Sequence, residues 1–142
     1  MRQTRSDYIH FRKLTPRWRD NDVYAHMNNA VFYEYIDTAV NAWIIESGTL
    51  PVPHGPVVGL VVASSCTFHA ALGFPTPVTC GLRVDRLGRT SVTYGVGLFS
   101  GDAQDAAAEA SFTHVYVKAE DHTPTPLPEP FRAALKTLVR EG

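Results

Sequence analysis

The feature that most constrains this fold is one long amphipathic segment, residues 30–47, followed by strand-like segments and no second helix of similar length. Its apolar side chains recur every three or four residues, the spacing of one face of an α-helix. Asn28 or Asn29 is suited to cap the start, and Gly48, with Pro51 shortly after it, is suited to end it. The pattern predicts a helix of about five turns, with an apolar face made of Phe32, Tyr35, Ile36, Ala39 and Trp43.

The other apolar segments alternate with period two, which is typical of β-strands. Pro16 favours an edge position for the first strand, and valines on both parities favour a central position for the second. Hairpin-length turns, such as Gly88–Arg89, favour antiparallel pairing of the later strands. We therefore predict one α+β domain over residues 1–142, ordered β-α-β-β-β-β, in which a five-stranded antiparallel sheet covers the helix. The predicted strands are residues 8–19, 57–70, 78–87, 90–100 and 106–119, with a short helix at the C-terminus.

Composition excludes several classes of function. Lysine and arginine total 13 against 14 acidic residues, so no strong net charge attracts nucleic acid or an anionic membrane. Without a signal-type segment or a long apolar window, we expect a soluble cytoplasmic protein. Cys66 and Cys80 stand in apolar runs and are expected to be buried free thiols. The histidines lack metal-ligand spacing, so neither a metal nor another cofactor is expected.

The most polar stretch of the chain, RDNDVYAHMNN at residues 19–29, immediately precedes the predicted helix. A helix N-terminus carries unsatisfied N–H groups and a partial positive charge, which can stabilise an oxyanion. The loop can fold the Asp22 carboxylate back toward this point. A carboxylate facing an oxyanion donor is the minimum equipment for acyl transfer. Aspartate and asparagine are also common in loops for purely local reasons, and spacing alone leaves both interpretations open.

This stretch resembles the opening of the hydroxybenzoyl-CoA type acyl-CoA thioesterases of the hot-dog fold, whose signature begins D-x-D-x-x-G-H-x-N-N. The likeness continues through VVASSCTF, LGFPTPVTCGLRVDRLGRTSVTY and THVYVKA. It implies that Asp22 is catalytic, as general base or nucleophile, and that the backbone amide at Asn29 polarises the thioester carbonyl. Asn28 and His26 then support the loop. The family often has glycine where this chain has Ala25, and a positive φ there would strain alanine.

The resemblance also implies an acyl-CoA substrate and pairing of two protomers, as a homodimer or homotetramer, with each site built across the interface. Arg83, Arg86 and Arg89, with Thr90, surround a predicted hairpin and are candidates for contact with the CoA phosphates. The alternative is that these arginines are simply solvated. Tyr33 is a further candidate for substrate contact, although packing is the favoured role.

Two other functions stay open at this stage. Hot-dog domains also bind acyl-CoA without turnover, as regulatory modules, and others dehydrate hydroxyacyl thioesters with a histidine and an aspartate. Asp22 argues against the first, whereas His26 keeps the second open although its favoured role is to organise the loop. Neither the acyl group nor the choice between CoA and an acyl carrier protein follows from the sequence.

Overall fold

A computed structural model describes residues 2–140. Two single 3₁₀ turns, Arg5–Asp7 and Trp18–Asp20, flank the first strand. The strands are β1 (His10–Leu14), β2 (Val57–Phe68), β3 (Val78–Leu87), β4 (Ser91–Ser100) and β5 (Ala108–Lys118). The helices are α1 (Asn29–Ser47), between β1 and β2, and α2 (Glu129–Lys136), after β5.

The five strands form one antiparallel sheet in the order β1-β3-β4-β5-β2. This confirms the predicted α+β architecture, the edge position of the first strand and the short C-terminal helix. The prediction of a central second strand is wrong, because β2 lies at the other edge and, within residues 2–140, pairs only with β5. The connection from β2 to β3 is therefore not a hairpin: it carries the chain across the sheet to a strand beside β1.

The apolar residues of β2 explain the misplacement. Leu60, Val61 and Val62 are 39%, 50% and 59% exposed. Valine on both parities indicates a strand whose two faces are to be covered, but it does not say which strands lie beside it. In a single chain this edge leaves apolar surface bare.

Helix α1 forms where its caps and apolar face predict. The Asn28 side chain accepts a hydrogen bond from the N–H of Ala30, and Gly48 ends the helix with φ +67°. This left-handed conformation strains residues that carry a Cβ, and glycine, which has none, adopts it without that cost. The buried face of α1 packs on the inner face of the sheet, and its buried residues are Phe32, Tyr35, Ile36, Ala39, Val40, Trp43 and Ile44.

The outer face of the sheet carries a smaller cluster of Tyr8, Phe99 and Ala106. Gly97 makes room for it, because a Cβ at that position would lie 2.6 Å from the ring of Tyr8. Cys66 and Cys80 are both free, as expected, but only Cys80 is buried as predicted; Cys66, on the exposed edge strand β2, is half-buried. Burial raises the pKa of the Cys80 thiol to about 12.

Helix α2 closes the inner face beyond the end of α1. It buries Phe131 and Leu135, and the Phe131 ring meets Tyr116 at 5.2 Å between centroids. Neither α1 nor α2, the two helices found in residues 2–140, has the length and apolar character needed to cross a membrane.

Candidate active site

The polar loop before α1 is a short closed turn. Asn21 and Met27 form an isolated antiparallel bridge across its ends. Inside it, the Asp22 N–H donates to the carbonyl of His26 at 2.7 Å, and the Ala25 N–H donates to the carbonyl of Asp22 at 3.1 Å. Ala25 adopts φ +62°, the left-handed conformation in which glycine is normally found. The strain anticipated for alanine at this position is therefore present.

Asp20 anchors the loop to the core. Its carboxylate is 1% exposed and accepts hydrogen bonds from the Tyr35 hydroxyl at 2.8 Å and from the Arg17 backbone and guanidinium at 2.8 and 3.0 Å. Burial acts to raise the pKa of Asp20, but these hydrogen bonds outweigh it and hold the pKa below its usual value. Asp20 also accepts, through its carbonyl, the N–H of Asn28 at 3.0 Å. One buried anion thus fixes the loop against α1.

The connection between β2 and β3 holds the loop from the other side. The Met27 N–H donates to the Leu72 carbonyl at 2.6 Å, and the Phe74 N–H donates to Asn21 Oδ1 at 3.1 Å. Gly73, between Leu72 and Phe74 in the chain, lets the two loops approach closely, since a Cβ at this position would lie 3.1 Å from the carbonyl oxygen of Ala25. The two loops therefore pack backbone against backbone.

The start of α1 offers one free donor to this loop. The side-chain oxygen of Asn28 accepts a hydrogen bond from the N–H of Ala30 at 2.9 Å, and the backbone carbonyl of Asn28 accepts one from the N–H of Val31 at 2.9 Å. No described residue accepts a hydrogen bond from the N–H of Asn29. The positive end of the helix therefore presents an N–H group able to bind a carbonyl oxygen or an oxyanion.

Asp22 is half-buried in the loop that leads into this helix end. Its Oδ1 accepts the N–H of Tyr24 at 2.8 Å and, more weakly, that of His26 at 3.4 Å, while Oδ2 accepts from none of the residues 2–140. Asn21, the residue before Asp22, is bridged to Met27, two residues before Asn29. Bridged Cα atoms lie about 4.5–5.5 Å apart, so the backbone at Asp22 returns close to the start of the helix. One carboxylate oxygen orients the side chain, and the other stays available for chemistry.

His26 and Tyr33 contribute differently. The His26 backbone closes the loop, but its exposed imidazole bonds to no side chain in the described part of the chain. Tyr33 is half-buried and packs against the edge of the core. Its hydroxyl makes no hydrogen bond to any residue between 2 and 140.

The arginine hairpin lies at the far end of the sheet from Asp22. Gly73 packs on the Asp22 loop near the first residue of β3, whereas Gly88–Thr90 follow its last, so about 30 Å of strand separates them. Arg86 and Arg89 are exposed there. The Thr90 carbonyl accepts the N–H of Tyr116 at 2.8 Å.

Arg83 is the exception among these arginines, since its guanidinium is occupied. It donates to Asp85 Oδ1 at 2.6 Å and to the Asp7 carbonyl at 2.9 Å, and it stacks over the Tyr8 ring at 4.7 Å. It serves the outer face of the sheet and offers no free cation.

Sequence reasoning missed the residues that hold the loop. It assigned Tyr35 only to the apolar face of the helix, whereas the Tyr35 hydroxyl bonds to the Asp20 carboxylate. A polar-tipped Tyr35 in an otherwise apolar stripe was the available signal, because a buried tyrosine hydroxyl usually finds a partner. Nothing in the sequence marked Asn21 or Gly73.

A five-stranded antiparallel sheet that packs its inner face on one long helix is the hot-dog fold. The thioesterase superfamily model matches residues 24–107, more than half of the chain, so the chain belongs to the thioesterase superfamily. The match begins two residues after Asp22. No curated protein matches the chain significantly.

Solved structures agree with this fold. The PA5185 protein from Pseudomonas aeruginosa strain PAO1 is 43% identical, with a TM-score of 0.95 over 98% of this chain and 97% of its own. A 1,4-dihydroxy-2-naphthoyl-CoA thioesterase from Synechocystis has a TM-score of 0.80 at 16% identity, over 89% of this chain and 94% of its own. The gentisyl-coenzyme A thioesterase BH1999 has a TM-score of 0.78 at 18% identity, over 89% and 99%. At such low identity the last two demonstrate the fold alone.

Proposed function

We propose that this protein hydrolyses acyl-CoA thioesters to the free acid and CoA, with Asp22 and the N–H of Asn29 as its catalytic groups. One observation carries the proposal. The loop that leads directly into α1 carries a carboxylate with one oxygen fixed by loop N–H groups and the other without a donor, and the first N–H of the helix has no acceptor among the described residues. Membership of the thioesterase superfamily supports the reaction class.

The chemistry divides between these two groups. The Asn29 N–H binds the thioester carbonyl oxygen and stabilises the negative charge that grows on it. Asp22 Oδ2 either takes a proton from the attacking water or attacks the carbonyl carbon itself, giving an anhydride that water then cleaves. In both routes the C–S bond breaks and the sulfur leaves as the CoA thiolate, which is then protonated. Asn28 and His26 hold the loop during these steps.

We also propose that two copies pair through the β2 edge to form a homodimer. In a two-fold pair the strands run antiparallel, so the Phe68 end of one β2 lies beside the Val57 end of the other. Phe68 packs on Phe32, in the first turn of α1, at 4.9 Å between ring centroids. Pairing therefore brings the Asp22 loop of one copy toward the hairpin end of the other. Pairing would also cover the bare apolar surface of β2.

This arrangement gives the exposed arginines a role. Arg86 and Arg89 of one copy would then approach the site of the other and bind the CoA phosphates. Within one chain they lie too far from Asp22 to do so.

A thiol-release screen over short, long, branched and aromatic acyl-CoAs tests the proposed reaction. We expect hydrolysis of at least one class, abolished by Asp22→Asn and retained by Asp102→Asn, which changes an exposed aspartate in the β4–β5 turn. Binding without thiol release from any ester would identify a binding module instead. A change in enoyl absorbance with hydroxyacyl esters would identify a dehydratase.

Light scattering coupled to size-exclusion chromatography tests the proposed dimer. We expect twice the chain mass for the wild type and a shift toward monomer for Val62→Lys, which puts a charge on the β2 edge. The control is Asp102→Lys, which changes an exposed residue of the β4–β5 turn. A monomeric wild type at micromolar concentration would refute the β2 pairing.

A further inference from the structure

The arginine hairpin consists of the turn between β3 and β4, residues 88–90, with Arg86 shortly before it. Arg86 and Arg89 are exposed, and neither forms a salt bridge with an acidic residue in the part of the chain that the structure describes. Such arginines are able to bind phosphate, but a turn between two strands is usually more mobile than the strands themselves. The groups that fix the backbone of this turn therefore affect how well its arginines can bind an anion.

The segment after β5 supplies hydrogen-bond donors to the carbonyl groups of this turn. The Leu127 N–H donates to the Arg89 carbonyl at 3.1 Å. Arg132, in the first turn of α2, donates through Nη2 to the Gly88 carbonyl at 2.6 Å and to the Arg89 carbonyl at 3.2 Å. Among residues 2–140, Arg132 is the only one whose side chain donates to a carbonyl of the turn. Its positive charge makes these bonds stronger than those of a neutral donor.

Helix α2 is itself fixed to the sheet, so it can serve as a support for the turn. Phe131, next to Arg132 in the chain, is fully buried, and its ring meets Tyr116 at 5.2 Å between centroids. Beyond the helix, the Leu138 carbonyl accepts the N–H of Val84, in β3, at 2.9 Å. Arg132 therefore joins the exposed turn to an element that the core holds in place.

We propose that Arg132 is a positioning residue for phosphate binding: it orders the turn so that Arg86 and Arg89 are in place before CoA arrives. The inference rests on the proposed function, in which these two arginines bind the CoA phosphates at the site of the partner copy. A turn that is already ordered loses less entropy when the ligand binds. The action of Arg132 is indirect, because its Nη2 is shared between two backbone carbonyls.

A truncated substrate distinguishes this role from a purely structural one. Acyl-pantetheine has the same thioester and arm as acyl-CoA but lacks the phosphates and the nucleotide. In Arg132→Gln the KM for acyl-CoA should rise about fivefold, the equivalent of ordering one more side chain on binding. The KM for acyl-pantetheine and the kcat for both esters should stay unchanged. A loss that is equal for the two esters would overturn the inference.

Two further variants of α2 are matched to this change. Lys136→Gln removes an exposed cation one turn further along the helix, and it should leave the KM for acyl-CoA unchanged. Arg132→Lys should keep most of the wild-type affinity, because one nitrogen makes both bonds to the turn and lysine also offers one nitrogen. If Arg132→Gln does not fold by circular dichroism, Arg132→Met replaces it, since methionine keeps the apolar stem.

A double-mutant cycle tests whether Arg132 acts through the other two arginines. In the background Arg86→Ala with Arg89→Ala, adding Arg132→Gln should change the KM for acyl-CoA by no more than about a factor of two. A further fivefold rise in that background would show that Arg132 acts on the phosphates independently. That result would overturn the positioning role.

Binding of CoA itself, measured by calorimetry, gives the same comparison without turnover. Arg132→Gln should weaken CoA binding about fivefold, and Lys136→Gln should not weaken it. If no ester is hydrolysed but this difference is found, the proposed reaction fails and the inference stands. Equal CoA affinity in the two variants, or a wild-type chain that does not bind CoA, would overturn the inference.

Discussion

Replacing Tyr35 with phenylalanine tests how the candidate site is held in place. The change removes one hydroxyl and keeps the ring, so the packing of α1 on the sheet is preserved. The hydroxyl donates at 2.8 Å to the Asp20 carboxylate, which is 1% exposed. After the change, that carboxylate keeps its bonds from Arg17 but loses its partner on α1.

The structure sets the size of the effect. A hydrogen bond to a charged group contributes about 1.5–3 kcal/mol, and a buried carboxylate cannot recover the loss from water. We therefore expect the free energy of unfolding to fall by about 2 kcal/mol, which corresponds to a Tm lower by about 4–8 °C for a domain of this size. The pKa of Asp20, now held low by its hydrogen bonds, should rise. The stability that the low pKa of Asp20 contributes is present above the usual carboxyl pKa and is lost as the pH falls through the pKa of Asp20 in the folded chain. In Tyr35→Phe this loss should be complete at a higher pH than in the wild type.

The measurement is the free energy of unfolding in urea for Tyr35→Phe, compared with that for Tyr33→Phe. Tyr33 is adjacent and half-buried, but its hydroxyl bonds to no residue in the described range, so its change should cost less than about 0.5 kcal/mol. Thiol release should fall for Tyr35→Phe, because the loop loses the side-chain bond from Tyr35 to Asp20 and keeps only the backbone bond between Asn28 and Asp20 at the start of α1. Equal stability losses in the two variants would refute the role given to the Asp20–Tyr35 bond.

Further changes test other parts of the structure. Ala25→Gly removes the strain of a left-handed alanine, about 1–2 kcal/mol, but glycine gives the unfolded chain more entropy, which costs about 0.4–1 kcal/mol. Thermal unfolding should therefore show a gain in stability of under about 1.5 kcal/mol. A loss of stability would contradict the strain at φ +62°. Burial lowers the pKa of His114 from its ordinary value of 6.5, so stability should be complete above pH 6.5 and decline below it by up to about 1.4 kcal/mol per pH unit; urea titrations should show a flatter decline for His114→Phe. Arg89→Ala should raise KM for acyl-CoA about fivefold, or roughly 1 kcal/mol, and leave stability unchanged. Arg83→Ala should lower the Tm, because the contacts of Arg83 with Asp85 and Tyr8 are lost. A lower Tm with unchanged KM for Arg89→Ala would exclude Arg89 from phosphate binding.

Local patterns predicted the elements of this fold well. The helix expected over residues 30–47 begins one residue earlier, at Asn29, with Asn28 as its cap, and the third predicted strand matches β3. Both outcomes depend on near neighbours in the sequence: the side chain that caps a helix, or the alternation along one strand. Such signals survive without knowledge of the tertiary structure.

Long-range relations were harder to predict. The place of β2 in the sheet depends on where the chain goes after Phe68, and its alternation carries no information on that path. The bond between Asp20 and Tyr35 spans 15 residues and joins a loop to a helix face, so neither local pattern indicates it. Arg83 looked like its neighbours Arg86 and Arg89 in sequence, but the outer-face cluster around Tyr8 occupies it.

The maximal turnover rate of Asp22→Asn on the best acyl-CoA, compared with that of Asp102→Asn, tests the central claim most directly. General-base assistance is worth about 10²- to 10⁴-fold in rate, so kcat should fall by at least about 10²-fold while circular dichroism and Tm stay close to those of the wild type. A well-folded Asp22→Asn protein that turns over within a factor of two of Asp102→Asn would contradict the account.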